Sequence, residues 1–498
     1  MRLSEILEHV EYRLTAGNTD RILLAGDIEV AALSNDTRKL GEGSVFICIR
    51  GANFDSHDMA AEAVSKGIVA IVAEREIVLP EGCEIPVARV KDTRIAMAYM
   101  AAAFYGHPAE KLRTIGLTGT KGKTTTTYLI KQMLENAGYK TGLIGTIETV
   151  IGDKHIPSGN TTPESIVLQE TLKKMVEADC TAVVMEVSSQ ALKLHRTDGF
   201  IFDVGVFTNL DEDHIGPNEH EDFDDYLHCK SLLFKQCRTG IVNADDEHCE
   251  KILEGHTCDV ITYGFKEGVD YRAADPMLIK KPGELGVLFS VSGRTDLRAE
   301  FTMPGRFSVY NALCAIAVAK HYDCDDLQLL DALKRVKVRG RIEMIPVSSE
   351  FTLLIDYAHN AMALENLLVT LKDYRPNRLI TLFGCGGNRA KSRRYQMGEV
   401  SGKLSDLTVI TSDNPRFEDP MDIIHDIEAG VGRTTGSYVE IPDRKEAIRY
   451  CILNGEPGDI IVLAGKGHED YQEIQGVKHP MDERVLIEEI LREENRAQ

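Results

Sequence analysis

The chain has 498 residues, 43% of them hydrophobic and 27% charged, with a formal net charge of −21. That length exceeds what one hydrophobic core supports, so about three domains of ordinary globular composition are expected. The acidic balance excludes nucleic acid as a general partner, although a local basic pocket can still hold an anionic substrate.

The start, Met1-Arg2-Leu3-Ser4-Glu5, lacks the apolar core of a secretory signal, and no apolar run approaches the ~18 residues of a membrane span. A cytoplasmic protein without a membrane span, acting as a monomer, is expected. Residues 1–108 alternate short strands (44–49, 68–72) with helical stretches (59–66, 93–105), and Tyr105-Gly106-His107-Pro108 then breaks the chain. Residues 109–338 alternate strand-like runs, including 112–117, 140–144, 181–187 and 204–208, with helical segments such as 126–137. That order predicts a largely parallel sheet. After the basic turn 337–341, a candidate hinge, a third α/β series fills 339–498, with strands at 352–356, 379–384, 407–411 and 459–464. Polar clusters follow these strands, where ligands of open α/β sheets sit. The eleven cysteines are scattered and show no C-x-x-C spacing, which argues against a disulfide framework or a zinc site.

The strongest single signal is Thr118-Gly119-Thr120-Lys121-Gly122-Lys123-Thr124-Thr125 between a strand and a helix. Backbone N–H groups of such a turn, with the positive end of the helix, cradle nucleotide phosphates. Lys123 would reach the β/γ-phosphates and the Thr124 hydroxyl would ligate Mg²⁺. Leu117 stands where the common loop has its first glycine, so the loop is a variant.

Weaker signals follow in order. Glu186, in Met185-Glu186-Val187-Ser188-Ser189, is either a Mg²⁺ ligand beside the phosphates or a solvated strand-end carboxylate. Asn209, Asp213 and His214 end another apolar run, where a histidine is either structural or a ligand. Lys230, in an amphipathic stretch 226–234, reads by itself as a surface lysine. Asp356-Tyr357-Ala358-His359-Asn360 ends a strand, and Asn360 is a good helix cap. Gly384-Cys385-Gly386-Gly387-Asn388-Arg389 with Lys391, Arg393 and Arg394 suits an anion or a solvated helix face. Asp413-Asn414-Pro415-Arg416 and Gly465-Lys466-Gly467-His468-Glu469 together offer Asp, Arg and Glu. That set can hold a zwitterion, with Arg bidentate to its carboxylate and the acids on its ammonium.

In this order the motifs resemble the Mur ligases of peptidoglycan synthesis over nearly the whole chain. The resemblance implies an α/β fold of three domains. These are a nucleotide-sugar-binding domain (1–108), a P-loop-type parallel-sheet ATPase domain (109–338) and a Rossmann-like domain for the incoming amino acid (339–498). It implies ATP-driven amide formation between a UDP-MurNAc-dipeptide and a diamino acid, meso-2,6-diaminopimelate, through an acyl phosphate. Lysine or another amino acid in that place, or a non-catalytic nucleotide-binding paralogue, are the alternatives. By the same resemblance ATP contacts Gly119, Thr120, Gly122, Lys123, Thr124, Thr125, Asn311, Arg341, Asp356 and His359. The UDP-muropeptide contacts Asn35, Thr37, Arg38, Gly51, Ala52, Asn53, Thr161, Thr162, Ser188, Leu194 and Arg196. The amino acid contacts Arg394, Asp413, Asn414, Arg416, Gly465 and Glu469. Lys123, Glu186, His214 and Lys230 carry catalysis, with Thr124, Glu186, His214 and an N6-carboxylated Lys230 as Mg²⁺ ligands. Lys121, Gln190, Ala361 and Asn388 depart from the family's usual residues.

Overall fold

In the computed structural model, which describes residues 1–19, 21–23, 28–51, 54–212, 215–216, 219–281 and 283–497, the apolar runs collect into three main sheets. Ala52, Asn53, Asp213 and His214 lie outside the described residues. The chain forms two compact units, Met1–Asp270 with Cys314–Asp325, and Tyr271–Leu313 with Asp326–Gln498.

In the first unit, a five-stranded sheet runs Arg13–Ala16, Pro86–Arg89, Ala70–Ala73, Ser44–Ile47, Ala32–Ser34. Its helix Thr93–Phe104 is capped by the Asp92 carboxylate and packs an alanine- and methionine-rich face inward. The helical stretch expected at 59–66 splits into a 3₁₀ turn, Ser56–Met59, and the short helix Ala60–Val64. The Asp55 side chain accepts from His57 N, which starts the turn early.

The larger sheet of this unit runs Asp259–Gly264, Cys237–Asn243, Phe202–Phe207, Arg113–Thr118, Ala182–Glu186, Thr141–Ile144, Glu148–Ile151, Lys154–Pro157. The first six strands are parallel and the last two antiparallel. Arg113–Thr118 therefore lies between Ala182–Glu186 and Phe202–Phe207. Their register sets Glu186 beside Leu117 and Phe207 beside Thr118. Three loops consequently leave one sheet edge side by side: the glycine turn, the segment after Glu186 and the segment after Phe207.

The second unit holds an antiparallel meander, Tyr271–Lys281, Glu284–Gly293 and Leu297–Phe301. It also holds a six-stranded sheet ordered Glu343–Ile345, Thr352–Asp356, Ile460–Ala464, Leu379–Phe383, Leu407–Ile410, Ser437–Glu440. All but the first of these strands run parallel, so the loops after Asp356, Phe383, Ile410 and Ala464 share one edge. The buried Arg444 fastens that edge by donating to Ser412 O and Ala464 O, while the buried Glu483 carboxylate balances its charge at 2.7 Å. Among the described residues no helix is long and apolar enough to cross a membrane, and all eleven cysteines are free.

Candidate active site

The turn after Arg113–Thr118 passes through two left-handed glycines, Gly119 at φ +147° and Gly122 at φ +84°. A Cβ on Gly119 would lie 1.9 Å from Thr208 Oγ1, so only glycine fits. The neighbouring strand end holds the turn. Thr208 Oγ1 donates to Lys121 O at 2.8 Å, Asn209 Oδ1 accepts from Lys121 N at 2.9 Å, and Asn209 Nδ2 donates to Lys121 O at 3.0 Å. The unusual Lys121 side chain itself reaches Asp211 at 3.3 Å. Helix Lys123–Asn136 then starts without a side-chain cap, three residues earlier than its sequence indicates. Uncapped N–H groups at the positive end of a helix favour an anion. Lys123 Nζ lies over the turn, donating to Gly119 O at 2.8 Å and Thr120 O at 3.1 Å.

Glu186 is 1% exposed, which rules out the solvated reading. Its carboxylate accepts from Thr124 Oγ1 at 3.1 Å, Thr146 N at 2.8 Å and Thr146 Oγ1 at 3.0 Å. No basic side chain among the described residues pairs with it. A buried carboxylate without a counter-charge is costly, and with the Thr124 hydroxyl it presents the hard oxygen donors that Mg²⁺ prefers. Thr146 does not stand out in the sequence, since a Gly-Thr step after a strand carries no distinctive signal.

Lys230 is also 1% exposed, contrary to its reading as a surface lysine. Helix Phe223–Ser231 is capped by Asp222 through Asp225 N and directs Lys230 inward. Nζ donates to Gly119 O at 2.9 Å and lies 4.5 Å from the centre of the Tyr226 ring. Tyr226, whose OH is 3.1 Å from Thr120 Oγ1, joins the helix to the phosphate turn.

Beside this edge Thr162 Oγ1 donates to Glu186 O at 2.9 Å and accepts from Ser188 N at 3.0 Å. Thr161 Oγ1 is 3.1 Å from Thr146 Oγ1. Arg196 donates to Thr162 O at 3.0 Å and pairs with Glu164 at 2.5 Å. Leu194 ends the short helix Ser189–Lys193, which Ser188 caps. Of the expected muropeptide residues of the larger sheet, Thr161, Thr162, Ser188 and Arg196 thus form one hydrogen-bonded patch around Glu186. Those of the smaller sheet lie on its own loops. Asn35 and Thr37 are half-buried and Arg38 is exposed. The Arg38 guanidinium bonds both Asp36 oxygens and holds that carboxyl at about 2. Gly51 N donates to Phe54 O at 2.7 Å.

In the second unit, Asp356 accepts from Ile342 N at 2.9 Å and Ala358 N at 2.8 Å. Loss of solvent at the strand end raises its carboxyl above the usual range, against the pull of the nearby Arg341 charge. Arg341 stacks on the Tyr357 ring at 4.9 Å with Nε unpartnered. His359 Nδ1 lies 2.9 Å from Tyr357 O. Asn311 is buried on helix Arg306–His321. Asn360 caps the following helix, as expected, accepting from Ala363 N.

The glycine loop after Phe383 lies against the Asp413–Arg416 segment. Gly387 N donates to Asn414 O at 2.8 Å, Arg416 donates to Gly387 O at 2.7 Å, and a Cβ on Gly387 would fall 2.0 Å from Pro415 O. Arg416 has φ +54° and a second contact to Glu473 at 3.2 Å. Asn414 Nδ2 donates to Glu469 Oε2 at 3.0 Å, and a Cβ on Gly465 would come 3.2 Å from Asp413 Oδ2. Asp413, Asn414, Arg416, Gly465 and Glu469 therefore line one place. Arg394 is buried, its end nitrogens bonded to Glu418 and Asp426 and only Nε unpartnered. It steadies the glycine loop through Glu418, which also accepts from Asn388 N. Sequence reasoning misses Lys466, between Gly465 and Glu469, which is fully buried at the centre of this cluster. Burial of a lysine leaves no mark in composition.

Three family models match in succession: "Mur ligase family, catalytic domain" over residues 29–105, "Mur ligase middle domain" over 117–319, and "Mur ligase, glutamate ligase domain" over 340–467. Two curated relatives bear the name UDP-N-acetylmuramoyl-L-alanyl-D-glutamate–2,6-diaminopimelate ligase. The one from Caldanaerobacter subterraneus subsp. tengcongensis is 42% identical over 99% of both chains. The one from Clostridium acetobutylicum is 40% identical over 99% of this chain and 100% of its own. A solved structure of a ligase with that name superimposes with a TM-score of 0.73 at 27% identity, covering 99% of each chain.

Proposed function

The chain belongs to the Mur ligase family, and from that premise we propose that it joins meso-2,6-diaminopimelate to UDP-N-acetylmuramoyl-L-alanyl-D-glutamate at the expense of ATP. The reaction is the third-residue addition of peptidoglycan precursor synthesis. One observation carries the reading: the buried Glu186 carboxylate, without a counter-charge among the described residues, lies 3.1 Å from the Thr124 hydroxyl beside an uncapped helix start.

A carboxylate is a poor electrophile, so the dipeptide's γ-carboxylate first attacks the γ-phosphorus of ATP; the bond from that phosphorus to the β-phosphate oxygen breaks, ADP leaves and an acyl phosphate is formed. The amine of the incoming amino acid then adds to the acyl carbon, and inorganic phosphate departs. Two anions must approach each other in the first step, so neutralising charge is the main requirement. Lys123 supplies part of it, and the backbone N–H groups from Gly119 to Thr125 orient the phosphates. Thr124 and Glu186 would hold one Mg²⁺, and His214 with an N6-carboxylated Lys230 would hold a second; such ions would supply positive charge against the phosphates. Thr161, Thr162, Ser188, Leu194 and Arg196 position the dipeptide end. Asn35, Thr37, Arg38, Gly51, Ala52 and Asn53 hold the uridine nucleotide. Asn311 serves ATP from the middle domain, and Arg341, Asp356 and His359 serve it from the third, with domain boundaries near 108 and 338. The free cysteines suit a reducing cytoplasm, where the chain acts as a monomer.

For the amino acid, Glu469 and Asp413 take an ammonium and Arg416 takes the distal carboxylate that diaminopimelate has and lysine lacks. Phosphate release from ATP, Mg²⁺ and the UDP-dipeptide, measured with a panel of amino acids, tests the proposal. Diaminopimelate should support turnover far above lysine; release that ignores the amino acid, or none with any, refutes it. Arg416→Ala should raise KM for diaminopimelate roughly tenfold to a hundredfold, the worth of a charge-assisted hydrogen bond of about 1.5–3 kcal/mol, with KM for ATP unchanged. An equal rise in both would assign Arg416 elsewhere.

A further inference from the structure

We propose that Lys466 is a positioning residue of the amino-acid pocket: it fixes which way the Asn414 amide faces and which Glu469 oxygen stays open to the substrate. The inference rests on the functional reading above. Lys466 has no exposed surface, and its three donors are all used. Nζ donates to Asn414 Oδ1 at 2.9 Å, to Glu469 Oε2 at 2.9 Å and to Tyr471 O at 2.6 Å.

An amide oxygen and nitrogen have nearly the same shape, so only their partners decide the orientation of Asn414. Two donors converge on Oδ1, Lys466 Nζ and Glu473 N, each at 2.9 Å. Nδ2 must then face Glu469, and it does at 3.0 Å. Oε2 of Glu469 consequently accepts from both Lys466 and Asn414. Among the described residues Oε1 keeps only a long contact of 3.5 Å to the Tyr357 hydroxyl, which leaves it available to a ligand ammonium. Without Lys466 the amide loses half its orienting donors and the Glu469 carboxylate can turn.

Charge points the same way. Burial raises the Glu469 carboxyl, but the Lys466 ammonium outweighs that and holds it below the usual range, with help from Asn414 and His468. The other groups facing this pair are the Tyr357 hydroxyl, the Asp413 carboxylate 4.0 Å from Lys466 Nζ, and Tyr471, whose ring centre lies 5.2 Å from that Nζ. A group held low is ionised until the pH falls through its depressed value. Removing Lys466 should therefore move the acid limb of kcat/KM for the amino acid to higher pH.

The test compares Lys466→Met with the unaltered protein. KM for diaminopimelate should rise roughly tenfold to a hundredfold, KM for ATP should stay put, and the acid limb should shift upward, with partial recovery in Lys466→Arg. A folded Lys466→Met protein with unchanged KM and pH profile overturns the inference, as does a parallel rise in both KM values. If Lys466→Met does not fold, Asn414→Asp replaces it. The new carboxylate still accepts from Lys466 but cannot donate to Glu469, so the same rise and upward shift are expected, and their absence overturns the proposal. An unaltered protein inactive with every amino acid overturns the functional reading, and the inference with it. Normal activity there combined with an indifferent variant overturns the inference alone.

Discussion

Lys123→Ala is expected to abolish ATP-dependent ligation, by 10²–10³-fold or more as an order of magnitude, while leaving the folded state essentially intact. The lysine contributes little to the shape of the turn it lies over. Gly119 and Gly122 supply the left-handed backbone, and Thr208 and Asn209 fasten the turn from the next strand. Among the described residues Lys123 donates to carbonyl oxygens of the turn, Gly119 O and Thr120 O, and water entering the space of the shortened side chain can take its place there. Transition-state charge has no such substitute, because phosphate oxygens gathering beside Glu186 need a fixed cation. Phosphate release should fall to background with an unshifted thermal transition. Near-normal turnover would withdraw the phosphate-loop assignment for this turn.

What is legible in the chain follows from where its chemistry is carried. Strands buried on both faces read as apolar runs, and 352–356 appears in the structure with those very limits, because Asp356 at its end marks the change from core to loop. The helix after the phosphate turn begins three residues before the start its sequence indicates. Four consecutive threonines are poor helix formers by propensity, yet Thr124 to Thr127 are all buried there and packing decides. Backbone-borne function is readable, since glycines at 119 and 122 between a strand and a helix mark a turn that needs left-handed backbone. Side chains whose role depends on depth are not. Lys230, Glu186 and Lys466 are each indistinguishable in sequence from a solvated residue; only sheet register and helix facing bury them. His214, expected beside Lys230, lies outside the described residues, so the proposed metal set rests here on Thr124, Glu186 and Lys230.

Lys230→Ala should lose most of the activity and regain part of it with added formate or acetate. Two features separate a structural lysine from a modified one. As an amine it is well accommodated, with Gly119 O at 2.9 Å and the Tyr226 ring beneath it, and a scaffold role alone would predict lost stability and no rescue. As a carbamate, formed when the neutral amine adds CO₂ and releases a proton, it becomes a carboxylate next to the phosphate turn and can ligate a cation. A small free carboxylate entering the space left by the shortened side chain restores that chemistry without restoring the ammonium. Intact-mass measurement should find the unaltered protein heavier by one CO₂, and bicarbonate should raise the activity of protein stripped of it. Full activity in Lys230→Ala would remove the residue from the site. Loss that no carboxylate relieves, in a protein indifferent to bicarbonate, would leave Lys230 as the buried cation that ties helix Phe223–Ser231 to the phosphate turn.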